Sequence, residues 1–172
     1  MSDKYLDTIV VNRGNQRRLK NVMLRARRGE AVTIGYLGGS ITMGSVATTP
    51  EKCYAYLSCQ WWRENFPQTQ VAYYNAGIGG TTSQFGVARV DEDLLYARPD
   101  VVFIEYSVND DNNAHFQETY EGLVRHVYTS GTLPAVVLLH NSFFSTGASA
   151  QEIHVAVGKY YDLPCVSIRN NV

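Results

Sequence analysis

The chain has 172 residues, 45% hydrophobic and 18% charged, with 15 basic and 16 acidic side chains. That length points to one domain with one sizeable core, and the apolar fraction excludes a disordered polymer. Near-neutral charge argues against a nucleic-acid partner, and no apolar run approaches the roughly 18 residues of a membrane span. The N-terminus lacks the apolar core of a secretory signal, and Cys53, Cys59 and Cys165 match no zinc spacing. Reduced core thiols in a cytoplasmic protein are the expectation.

In chain order, residues 1–30 read as an extension carrying a helix over 15–29, with Leu19, Val22, Met23 and Ala26 on one stripe. Asn15 is its expected N-cap and Gly29 its stop. Its basic residues, Arg17, Arg18, Lys20, Arg25, Arg27 and Arg28, read as a solvated face opposite that stripe, not a phosphate site. Strand-length apolar runs follow at 31–37, 71–76, 101–106, 135–140 and 163–168. Most are continuous, as expected of strands buried on both faces of a parallel sheet. Helices are predicted over Tyr54–Phe66, ended by Pro67; over Gln117–Thr129, with Leu123, Val124 and Val127 inward; and over Gln151–Tyr160. Strands separated by enough chain for a crossover helix define a doubly wound α/β sheet.

In such a sheet, ligands bind beyond the carboxyl ends of the strands. The first strand leads into Gly38-Gly39-Ser40-Ile41-Thr42-Met43-Gly44, the second into Gly77-Ile78-Gly79-Gly80-Thr81-Thr82, and the third into Ser107-Val108-Asn109-Asp110-Asp111. Acyl transfer needs a nucleophile and donors for the developing oxyanion, and Ser40, a Gly80 N–H and the Asn109 amide are suited to those roles. Taken singly, each has a plainer explanation: a capped tight turn, a glycine turn, a helix cap. The serine turn lacks the Lys-Ser/Thr ending of a P-loop and the G-x-G-x-x-G spacing of a dinucleotide site. It also misses the G-x-S-x-G elbow, because Thr42 stands at the last glycine.

Together the blocks resemble the SGNH (GDSL-type) hydrolase family, over residues 31–170. Gly38-Gly39-Ser40-Ile41-Thr42 is close to its Gly-Asp-Ser block and Asn75-Ala76-Gly77-Ile78-Gly79-Gly80-Thr81 to its oxyanion-glycine block. Ser107-Val108-Asn109-Asp110 stands against Gly-x-Asn-Asp, departing at Ser107. The stretches NAGIGGTTSQFG and RPDVVFIEYSVND are most similar to the branch containing carbohydrate acetylesterases. The resemblance implies Ser40 as nucleophile, Gly80 and Asn109 in the oxyanion hole, no metal or organic cofactor, and a carbohydrate or small-ester substrate. The implied fold is a flavodoxin-like three-layer α/β/α sandwich with a five-stranded parallel sheet.

The family's Asp-x-x-His block occurs nowhere in the chain. His140, at the end of the fourth strand, is the candidate to replace it. His154 resembles a structural histidine of related esterases, while His115 and His126 read as surface or packing residues. Asp110, Asp111 and Arg89 are candidate pocket-shaping residues, and Trp61-Trp62 are expected in the core. One domain is expected, with 31–172 as its core, lacking the usual last helix. A complementing C-terminal segment or a second copy would then cover the exposed sheet face. Two rivals remain at this level: a catalytically incomplete binding or scaffold domain, and a flavodoxin-like phosphate or nucleotide binder using Gly38 to Gly44.

Overall fold

Residues 8–169 are described by a computed structural model. The five anticipated strands form β2 (Val32–Gly38), β3 (Val71–Gly77), β4 (Val101–Glu105), β5 (Ala135–His140) and β6 (Cys165–Ser167), all parallel to their neighbours in that set. The sheet is nonetheless mixed and six-stranded, in the order β1-β6-β5-β4-β2-β3, because β1 (Val10–Asn12) pairs antiparallel with β6. A three-residue strand gives almost no periodic signal, and β1 forms only because the β6 edge offers unpaired backbone groups. Asn12 Nδ2 reinforces it by donating to Leu163 O at 2.7 Å.

Helices cover both faces. Helix α1 (Arg17–Arg27) and α3 (Tyr54–Asn65) pack on one side, where Val22, Ala26, Ala55, Cys59 and Trp62 join Ile34, Tyr36 and Val101 in one cluster. On the other side, α4 (Ser83–Asp93), α5 (Ala114–Tyr128) and α6 (Gln151–Tyr160) bury Val90, Tyr120, Leu123, Val124, Val127 and Val157 against Val102, Ile104 and Leu138. The three anticipated layers are therefore present. Cys53, Cys59 and Cys165 are buried and free.

Helix α4 (Ser83–Asp93) is not predicted from the sequence, and the reason is physical. Its buried positions are Ser83, Gly86, Arg89 and Val90, so the inward stripe has helical spacing but little apolar character. Gly86 also weakens helix propensity. It is nevertheless required, because a Cβ there would lie 2.7 Å from the Tyr106 hydroxyl.

Local signals elsewhere behaved as their chemistry dictates. Asn15 Oδ1 accepts from Arg17 N at 2.9 Å, one residue ahead of the formal cap. On the basic face of α1, Arg17, Lys20, Arg27 and Arg28 are exposed as expected, while Arg25 pairs with Asp100 at 2.6 Å and Arg18 donates to Tyr128 O and Pro134 O. Trp62 is core, whereas Trp61 is 44% exposed, which corrects the expectation of two buried tryptophans. Among the described residues no helix follows β6, and none is long and apolar enough to cross a membrane. Helix α1 itself packs against β5, and on that face Phe103, Leu139 and Val166 are partly buried, Phe103 stacking on Tyr36.

One junction leads directly to the functional edge. A Cβ on Gly77, at the end of β3, would collide with the Met43 backbone nitrogen and lie 2.7 Å from Met43 Cα. Backbone cannot yield as a side-chain tip can, so Gly77→Ala is expected to destabilise the chain by about 1–3 kcal/mol. Urea unfolding measures this, and an unchanged midpoint would refute the close approach.

Candidate active site

The core strands run in the order β3-β2-β4-β5-β6, so the chain leaves β2 to one side and returns to β4 on the other. The crevice at that reversal is the natural ligand position of an open α/β sheet. Ser40 follows β2 and opens the short helix α2 (Ser40–Met43), half-buried. Gly80 follows β3 with φ of +73°, a conformation that L side chains rarely adopt. Asn109 follows β4 in a turn whose amides, Asn109 N and Asp110 N, both donate to Tyr106 O.

The three blocks converge. A Cβ on Gly79 would stand 3.7 Å from Ser40 Cβ, which places the glycine turn beside the serine. A Cβ on Gly39 would fall on Asn109 Oδ1 and lie 3.1 Å from Asn109 Cγ, so the asparagine lies against the residue before Ser40. Asn109 Oδ1 itself is buried and has no hydrogen-bond partner. Two hydrogen bonds fix the β3 turn to the β2 turn and α2, Ile78 N to Gly38 O at 3.0 Å and Asn75 Nδ2 to Thr42 O at 2.8 Å, and Asn75 is itself held by accepting from Gly77 N at 2.9 Å. A serine, a glycine turn and an asparagine amide brought together are suited to supply the nucleophile and the oxyanion donors of acyl transfer, its general base apart.

The supporting residues have assignable work. Arg89 is buried, donating to Tyr106 Oη at 3.0 Å and to Gly38 O at 3.3 Å while pairing with Asp93. It therefore steadies the backbone two residues before Ser40. Ser107, where the family carries glycine, accepts from Asn141 N at 2.7 Å, with its hydroxyl in reach of Asn141 O and Glu105 Oε1. That stitch joins the β4 and β5 loops and accounts for the departure. Asp111 is exposed. A cavity of about 400 Å³ between the loops after β4 and β5 is lined by Val108, Asp111, Asn112, Phe143, Glu152 and Arg169 among others, with Ser40, Gly80 and Asn109 outside its wall. A larger groove of about 620 Å³, between α5 and α6, carries none of the convergent serine, glycine and asparagine groups.

The histidines separate clearly. His140 is buried, and neither of its ring nitrogens has a hydrogen-bond partner. Burial first, and then His154 nearby, push it down to about 3, so it is neutral at physiological pH. No histidine hydrogen-bonds to Ser40 among the described residues. His115 and His126 are exposed, and His126 meets Asp91 at 2.9 Å. His154 is buried against Asp110, a carboxylate partner that sequence spacing could not reveal across 44 positions. Asp110 does cap a helix, but a distant one: its Oδ1 accepts from Ser83 N at the start of α4, while Asn113 caps α5.

The fold and this crevice define a serine-hydrolase-like α/β domain, and comparison with known proteins sharpens the class. Residues 36–170 match the GDSL-like lipase/acylhydrolase family, and the chain belongs to that family. No curated protein matches it. A solved two-domain esterase (CEX) active on acetylated mannans is similar at 57% identity and a TM-score of 0.94, over 95% of this chain and 44% of that one. The same esterase co-crystallised with mannopentaose gives the same agreement over 45% of its length. This chain thus spans less than half of that esterase. An acetyl xylan esterase, AlAXEase, is 19% identical with a TM-score of 0.64, over 81% of this chain and 79% of that one, which shows the shared fold.

Proposed function

We propose that this chain carries the nucleophile and oxyanion hole of a serine ester hydrolase that removes acetyl groups from a carbohydrate. The observation that carries the reading is the convergence of Ser40, the Gly79-Gly80 turn and Asn109 at the switch point of the sheet. Ser40 Oγ attacks the acyl carbonyl. The Gly80 and Ser40 N–H groups and the Asn109 amide hold the tetrahedral oxyanion, and the sugar hydroxyl leaves with a proton. The 57% identical mannan esterase supports an acetylated polysaccharide as substrate.

No histidine here reaches Ser40, so the general base and its carboxylate come from outside these 172 residues, as a segment of a longer polypeptide or a second chain. The buried, unpaired thiols support a cytoplasmic location.

The test is intact-mass analysis after a fluorophosphonate probe, with and without added imidazole as a substitute base. Slow labelling that imidazole accelerates, and that Ser40→Ala abolishes, is the expected result. A folded chain that stays unlabelled in both conditions would overturn the reading in favour of a binding domain.

A further inference from the structure

The Asp110 carboxylate is fully buried, a position that is costly unless every lone pair finds a donor. Two donors meet it. Ser83 N–H, at the start of α4, donates to Oδ1 at 2.9 Å, and His154 Nε2, on α6, stands 3.0 Å from Oδ2. The pairing assigns a proton to Nε2, which donates to the Asp110 carboxyl oxygen. Burial lowers the tendency of that ring to take a second proton, against the pull of Asp110. The ring is held flat on Tyr120, with centroids 3.5 Å apart and planes 8° from parallel. Ser83 is fixed a second time, its hydroxyl 2.9 Å from Thr119 Oγ1 on α5.

The positions of these partners along the chain give the arrangement its meaning. Asp110 directly follows Asn109, and Ser83 lies three residues beyond Gly80. The two turns that carry the oxyanion donors come from different strands, and no sheet hydrogen bond joins β3 to β4, which β2 separates. One carboxylate ties both turns to α6. We propose that Asp110 and His154 form a buried clamp that sets the separation of the Gly80 N–H from the Asn109 amide, making both positioning residues for the oxyanion hole. The proposal rests on the reading of Gly80 and Asn109 as oxyanion donors. Displacing such donors by about 1 Å costs up to about 100-fold in rate, which is the work the clamp performs.

The experiment compares His154→Phe, which keeps a ring on Tyr120 but removes the donor, with His154→Gln, which restores a neutral N–H donor. In ¹⁵N-labelled protein, His154→Phe is expected to move the Gly80 backbone and Asn109 side-chain amide signals together and to expose Ser83 N–H to solvent exchange. His154→Gln is expected to return all three towards wild type. Imidazole-assisted phosphonylation of Ser40 should fall about tenfold or more in His154→Phe and recover in His154→Gln. A folded His154→Phe protein with Gly80 and Asn109 signals unmoved would overturn the clamp. Should that variant not fold, Asp110→Leu asks the same question with a side chain of similar size that can pair with neither Ser83 N–H nor His154. A shifted Gly80 signal supports the clamp and an unmoved one refutes it. Wild-type protein that takes no label would sink the esterase reading, while the amide signals still decide the clamp.

Discussion

Gly39→Ala is expected to leave the fold standing and to slow phosphonylation of Ser40 by about 100- to 1,000-fold, the cost of losing one oxyanion donor. Gly39 has φ of −88°, so alanine meets no left-handed strain there. The added methyl would fall on Asn109 Oδ1, which has no hydrogen bond to hold it, and 3.5 Å from Asn109 Nδ2. The end of a side chain can swing aside where backbone cannot, so the amide leaves the crevice and the turn survives. Labelling kinetics with a thermal melt separate the two effects. A normal melt with an unchanged rate would remove Asn109 from the oxyanion hole.

The second large effect concerns Glu105, paired with Gly38 across β2 and β4 directly below the serine turn. The side chain is fully buried, Oε1 lies 3.2 Å from Ser107 Oγ, and Oε2 has no partner. Burial pushes the carboxyl from its ordinary 4.5 up to about 7, against the hydrogen bonds from Ser107 and Asn141 that favour the charge. The folded chain therefore holds this proton more tightly than the unfolded chain. Its stabilising contribution is complete below pH 4.5, falls as pH rises to about 7, and is gone above. The loss is on the order of 3 kcal/mol. Glu105→Gln keeps the shape without the charge. It should match wild type near pH 4.5 and exceed it by about 3 kcal/mol at pH 8 in urea titrations. Parallel pH profiles for the two proteins would show that Glu105 is already paired. A buried carboxyl whose charge is disfavoured, on the strand end paired with Gly38, fits the pattern by which perturbed groups gather at functional sites.

Much of the scaffold was legible in the residues because burial on both faces writes a parallel strand as an unbroken apolar run. That is why β2 to β6 could be read from stretches such as VVFIEY and AVVLLH, and α6 to its end residues. Ser40, Gly80 and Asn109 stood out because loop residues at strand ends are free of packing duty, so a serine, a glycine pair and an asparagine there are informative. The misses share one cause. Helix α4 turns Ser83, Gly86 and Arg89 inward, Trp61 and Trp62 are adjacent yet face different surroundings, and β1 needs the edge of β6. In each, the partner that decides the outcome is remote in sequence.

The sequence by itself determined the class of the protein, the five core strands and the three turns that carry serine, glycine and asparagine. Hydrophobic periodicity and turn chemistry act between near neighbours, so they survive being read along a line. Only the tertiary structure decided that β2 lies between β3 and β4, that Glu105 is buried beneath Gly38, and that Asp110 joins Ser83 to His154. Those are contacts between segments tens of residues apart, set by which chains pack and which buried charges must find donors. Neither demand has a period that a sequence can display.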